Sequence, residues 1–106
     1  MNLDRNIHPN GKGKYALINL RKIPGDPRTA EELAAAILAN PECVEFGEVG
    51  GPDEFFVLKL KDLFADSGLL GYSHRARIEG ETEYAQQVFG LARRSGRLNP
   101  WCKRPD

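Results

Sequence analysis

Cys43-Val44-Glu45-Phe46-Gly47-Glu48-Val49, followed by Gly50-Gly51-Pro52-Asp53 and then Glu54-Phe55-Phe56-Val57-Leu58-Lys59-Leu60, is the stretch on which the fold turns. Two runs rich in β-branched and aromatic residues flank a short Gly/Pro/Asp cluster, which predicts a β-hairpin. In the first run Val44 and Phe46 point inward and Glu45 outward. Gly47 marks a bulge, because Val49 beyond it falls on the opposite parity. In the second run Phe56, Leu58 and Leu60 share a face, which leaves Phe55, Val57 and Lys59 on the other.

Upstream, Lys14-Tyr15-Ala16-Leu17-Ile18-Asn19-Leu20 carries apolar groups on both faces, which suits a centrally placed strand. Pro24-Gly25-Asp26-Pro27 ends it, since two prolines around a glycine continue neither a ladder nor a helix. A helix then starts at Thr29, whose hydroxyl and the Glu32 carboxylate form a capping box. Ala30, Leu33, Ala34, Ile37 and Leu38 make its apolar face. Asn40-Pro41 stops it, because the residue before a proline is pushed out of the helical region.

Downstream, Asp62 caps a helical segment through Leu63, Phe64, Ser67, Leu70 and His74. Gly68 and Gly71 each cost that helix about 1 kcal/mol relative to alanine, and mark either a close approach or a break after Asp66. After Gly80 a helix resumes over 81–95, with Tyr84, Val88, Leu91 and Ala92 at helical spacing. Glutamates near its start and Arg93-Arg94 near its end suit the helix dipole, and Gly96 terminates it.

The order is β-α-β-β-α-α, an α+β fold whose simplest form is a three-stranded sheet with helices packed on one face. The expected organisation is a flexible arm over 1–13, a single domain over 14–96 and a basic tail over 97–106. The uncovered sheet face exposes Tyr15, Leu17, Phe55 and Val57, a candidate interface for a partner or a twin subunit.

Bulk properties narrow the function classes. The chain has 106 residues, 28% charged and 41% apolar, with 15 basic and 15 acidic side chains. That fits one independently folding globular domain. The longest apolar-looking stretch, Thr29 to Ala39, contains Glu31 and Glu32 and falls short of the ~20 residues a bilayer span needs, so no membrane role is expected. The first residues lack the apolar core of a secretory signal, and Cys43 and Cys102 are too few for a disulfide framework, which points to reduced thiols in the cytoplasm. The zero net charge hides an uneven spread: residues 29–70 hold nine acids against Lys59 and Lys61, while both ends are basic. Such a two-signed surface favours steered binding or self-association.

Candidate chemistry is sparse. Asn10-Gly11-Lys12-Gly13-Lys14 lacks the strand, the helix and the Lys-Ser/Thr ending of a phosphate loop, so a flexible basic arm is expected. Ser67, Ser73, His74, Asp62 and Asp66 lie along one helix, and Ser73 and His74 point about 100° apart, which opposes a catalytic triad. Glu45, Glu48, Asp53 and Glu54 lack calcium-loop spacing and predict a solvated acidic rim. With His8 and His74 the only histidines, no transition-metal site emerges, and no cofactor is expected.

The tail carries more. Arg93, Arg94, Arg97, Lys103 and Arg104 fall in a run without an acid, with Trp101 inside it. Basic groups neutralise phosphates and an indole stacks on a base, so these six residues are the candidate nucleic-acid-binding set. The competing and preferred account folds Pro100-Trp101-Cys102 back so that the indole covers an apolar edge. Small size, neutral charge and a single hairpin suit a short accessory protein of bacterial or phage type, although no motif ties the chain to a family. The first expectation is a cytoplasmic interaction module without catalysis, a homodimer or a binder of another protein. A nucleic-acid-binding accessory protein is the alternative.

Overall fold

The two runs around Gly50-Gly51-Pro52-Asp53 do not pair with each other. In the computed structural model, which describes residues 14–105, Val44–Glu45 (β2) instead pairs antiparallel with Leu17–Ile18 (β1). Leu17 stands opposite Glu45 and Ile18 opposite Val44, and the Asn19 amide extends the ladder to the Cys43 carbonyl at 2.8 Å. The α+β class therefore stands, but the sheet among the described residues has two strands, not three, and residues 54–60 form none of it. The arm expected over 1–13 lies outside the described residues.

The reason for the missing ladder is local. From Gly47 to Glu54 the chain spends its hydrogen bonds on itself. The Gly51 amide reaches the Glu48 carbonyl at 3.0 Å, the Glu54 amide reaches Gly51 at 3.4 Å, and the Gly50 amide is taken by the Glu54 carboxylate at 3.0 Å. Gly47 has φ +63°, and the Phe55 ring lies over it so closely that a β-carbon there would sit 2.4 Å from the ring. The chain reverses, but an aromatic ring on bare backbone replaces the cross-strand pairs a hairpin would need. Side-chain parity shifts with it: Phe55 is half-buried, whereas Phe46 and Phe56 are exposed.

Contacts divide the described chain into two compact units, 14–56 and 57–105. In the first, the chain passes from β1 through a 3-10 turn at Leu20–Lys22 to α1 (Ala30–Ala39). The Glu32 amide donates to the Thr29 hydroxyl at 3.1 Å, as the capping box requires. The Glu32 carboxylate reaches one residue further back than that motif demands, accepting from the Arg28 amide at 3.0 Å. Asn40 closes the other end, its side-chain amide donating to the Ala36 carbonyl at 2.9 Å, and Pro41 opens a 3-10 turn that leads into β2. The apolar face of α1 is narrower than expected: Leu33, Ala36 and Ile37 are half-buried, and Leu38 is 84% exposed. Ile23 and Cys43 are the buried apolar residues of this unit among those described.

The second unit is a helical hairpin, α2 (Ala65–Ile78) and α3 (Thr82–Ala92). Asp62 does not cap α2; its carboxylate accepts from the Phe64 amide at 2.8 Å in a turn just before the helix. The joint is a Schellman motif. The Glu81 amide bonds the Ala76 carbonyl at 2.9 Å, the Gly80 amide bonds Arg77 at 3.0 Å, and Gly80 takes φ +90°. Small residues hold the seam, since Ala65, Ser73, Ala85, Val88 and Ala92 are buried while Tyr84 is exposed. The expected α3 face thus rotates toward Ala85, whose small side chain lets the Ser73 hydroxyl reach the Ala85 carbonyl at 2.6 Å. Gly68 admits the Leu58 side chain, which would lie 3.5 Å from a β-carbon there, while Gly71 admits nothing.

The segment after α3 is tied down by backbone. The Gly96 amide donates to the Leu60 carbonyl at 2.9 Å. The Lys103 amide donates to Lys61, and its carbonyl accepts from Leu63, both at 2.9 Å, so Asp62 and Lys103 form a parallel bridge.

Candidate interaction surfaces

Catalytic groupings along α2 come apart in space. Ser73 is buried and its hydroxyl is committed to the Ala85 carbonyl, whereas the adjacent His74 is exposed. Asp66 accepts from the Ser67 amide at 2.9 Å, a purely local bond. No group of three or more His, Cys, Asp or Glu side chains among the described residues is placed to hold a metal ion. Cys43 is a buried free thiol and Cys102 a half-buried one.

The acidic rim lines a shallow, open cleft of about 210 Å³ in the first unit. Glu42, Glu45, Glu48 and Asp53 face it, with Lys22 as the cation on its wall. Glu54 turns away from that role, because its carboxylate is used by the Gly50 amide.

Apolar surface is distributed in a way the strand parity did not indicate. Of the four candidate interface residues, Leu17 is 38% exposed, while Tyr15, Phe55 and Val57 are half-buried. The Lys14 ammonium lies 5.8 Å from the centre of the Tyr15 ring, a cation–π distance. Beside Leu38 at 84% and Phe46 at 62%, the large exposed groups of the first unit include Leu20 and Phe56, each at 61%. Sequence reasoning placed both on covered faces. The signals that reassign them are the Leu20–Lys22 turn, which ends the strand before Leu20, and Phe55's seat on Gly47, which turns Phe56 outward.

On the second unit, Tyr72 and Tyr84 face each other at the helical hairpin, with hydroxyls 2.7 Å apart and rings 5.9 Å apart at 71°. The hydrogen bond to Tyr72, together with the charge Tyr72 would carry when ionised, raises the Tyr84 pKa above its ordinary 10.0.

In the C-terminal turn one side chain, Asn99, ties the backbones of two members of the candidate nucleic-acid set, Arg94 and Trp101, together. Trp101 is 74% exposed, so the indole does not cover an apolar edge. Its position is set by Asn99. That side chain donates to the Arg94 carbonyl at 3.2 Å and accepts from the Trp101 amide at 2.9 Å, linking the end of α3 to the indole-bearing turn. Arg93, Arg94, Arg97 and Arg104 are all exposed, and among the described residues none of the four makes an ion pair. Lys103 is exposed as well, its backbone anchoring the turn to residues 61–63.

Among the described residues no helix is long and apolar enough to cross a membrane. No protein-family model, no curated protein and no solved structure matches this chain.

Proposed function

We propose that this protein is a small cytoplasmic interaction module without catalytic activity, and that its first partner is a second copy of itself. The observation that carries this reading is an inversion of burial in residues 14–56. Leu20, Leu38, Phe46 and Phe56 are each more than 60% exposed, while Ile23 and Cys43 are the buried apolar residues described there. Burying apolar area contributes about 25 cal/mol per Å², and a fully buried Leu or Phe side chain contributes about 1.5–3 kcal/mol. A unit that leaves four such groups outside has apolar area to gain from association.

A second copy suits this surface better than an unrelated protein because the unit carries both signs of charge. Arg21, Lys22 and Arg28 stand against Glu31, Glu32, Glu42, Glu45 and Glu48 within the same unit. In a two-fold interface a two-signed patch meets its own complement, whereas a one-signed patch would repel its twin. Ser73, one of the two serines in the α2 grouping, has its hydroxyl spent on the Ala85 carbonyl, which supports this reading for that grouping.

Sedimentation equilibrium tests the proposal. The expected mass at micromolar concentration is twice the 11.8 kDa of the chain. Leu20→Ser combined with Phe56→Ser returns it to the monomer mass. A wild-type monomer at every concentration up to the solubility limit overturns the reading.

A further inference from the structure

We infer that the C-terminal turn is a binding site for single-stranded nucleic acid, with Trp101 stacking on a base and Arg93, Arg94, Arg97 and Arg104 neutralising the flanking phosphates. This site shares no residue with the self-association surface, so each proposal fails or stands alone.

Three observations point to that occupant. First, the indole is 74% exposed and is carried on an anchored backbone, because Asn99 holds the Trp101 amide and the Lys103 backbone pins the turn to residues 61–63. An aromatic side chain displayed in water costs hydrophobic free energy, and the anchored backbone beneath it lowers the cost of ordering that side chain on a base. Second, the same Asn99 side chain bonds the Arg94 carbonyl, so the arginine-bearing end of α3 lies within one side chain's reach of the Trp101 backbone. Third, no acid occurs from Arg93 to Pro105, and the four guanidinium groups make no ion pair among the described residues. Guanidinium groups bind phosphate bidentately and are more weakly hydrated than ammonium groups, so they give up water to a phosphate at lower cost.

Unpaired strands fit better than a duplex, because a duplex hides its base faces and is read by a helix or ribbon laid in a groove. An anionic membrane surface fits less well, since Trp101 and Leu98 are the large exposed apolar groups of this turn, where an interfacial helix presents a whole apolar stripe.

The experiment titrates the full chain against fluorescein-labelled oligothymidylate of about 15 nucleotides at roughly 50 and 200 mM salt. Trp101 is the only tryptophan, so its intrinsic fluorescence reports on the site without any variant. The expected result is quenching of that fluorescence together with a rise in anisotropy. With four phosphates neutralised, affinity falls about 50-fold across the salt step. Trp101→Ala weakens binding about 10-fold and Trp101→Phe retains most of it. Arg93→Ala with Arg94→Ala lowers the salt slope by about 1.4.

No anisotropy change at the lower salt overturns the proposal, as does unaltered binding by Trp101→Ala. Equal affinity for a duplex of the same length overturns the stacking role. Tighter capture by phosphatidylserine vesicles, with a blue-shifted indole, reassigns the turn to a membrane surface.

Discussion

Phe55 and Phe56 are adjacent, alike in side chain, and opposite in fate, and one glycine explains the difference. Phe55 rests on Gly47, where a β-carbon would stand 2.4 Å from its ring, and Phe56 is left outside. Gly47→Ala therefore meets two costs. The left-handed backbone at φ +63° charges an L-residue about 1–2 kcal/mol, and the methyl group displaces the ring. We expect Gly47→Ala to lower the free energy of unfolding by about 2–3 kcal/mol in urea titrations. In a Phe55→Ala background the same change should cost only about 1–2 kcal/mol, the backbone part. An equal cost in both backgrounds would show that the ring does not seat on Gly47. The alternation of 43–49 and 54–60 is visible in sequence, but the parity it implies, with Phe46 and Phe56 covered, is overturned by this contact, which is not visible there. Alternation assumes that side chains pair across a ladder, and here a ring pairs with a backbone.

Among the elements, those with a local cause were legible. The start of α1 follows from Thr29 and Glu32, its end from Asn40-Pro41, and the break before α3 from Gly80, because caps and breakers act within a few residues. Strand pairing was not, since β2 chooses β1 over residues 54–60, a choice between partners at different separations that no local signal encodes. The packing of α2 on α3 shows the same limit. Periodicity pointed to Tyr84, whereas the buried seam is built from Ala85, Val88 and Ala92, and Tyr84 meets Tyr72 at the edge. That edge contact has a pH signature. The Tyr84 pKa is raised above 10.0 in the folded state by its hydrogen bond to Tyr72, so the folded chain holds the phenolic proton more tightly than the unfolded one. The stabilisation is complete below the unfolded pKa of about 10 and is lost as pH rises through the higher folded value. Thermal melts should thus be insensitive to this pair from pH 7 to about 9 and should fall above about 10. Tyr72→Phe should remove part of that alkaline fall and bring the tyrosinate absorbance transition of Tyr84 back toward its ordinary range. An unchanged transition in the variant would mean that the pair is not formed in solution.

At the scale of the whole molecule, zero net charge conceals an acidic middle and basic ends, and the buried apolar side chains among the described residues are mostly small: three alanines and a cysteine beside Ile23 and Val88. Composition exposed the first of these facts but not the second. The 41% apolar content predicts an ample core, and only the fold reveals that Leu20, Leu38, Phe56 and Trp101 stay outside it. The basic run containing Trp101 was visible in sequence; that its indole is displayed, not folded over an apolar edge, and that Asn99 bridges the Arg94 and Trp101 backbones, was not. A chain with this division of surface should draw part of its stability from association, and that has a thermodynamic consequence separate from its mass. When folding is coupled to dimer formation, a tenfold rise in protein concentration adds about 1.4 kcal/mol per dimer at 25 °C. For a pair of chains of this size that corresponds to a rise in Tm of about 3–6 °C per decade. The dependence should appear in calorimetric scans of the wild-type protein over two decades of concentration. It should vanish in Leu20→Ser/Phe56→Ser, which removes the apolar contacts but leaves Ile23 and Cys43 in place. It should persist in Trp101→Ala, whose side chain lies in the other unit. A Tm that does not move with concentration in the wild type would mean that each copy reaches its full stability alone, with Leu20 and Phe56 exposed for some other partner.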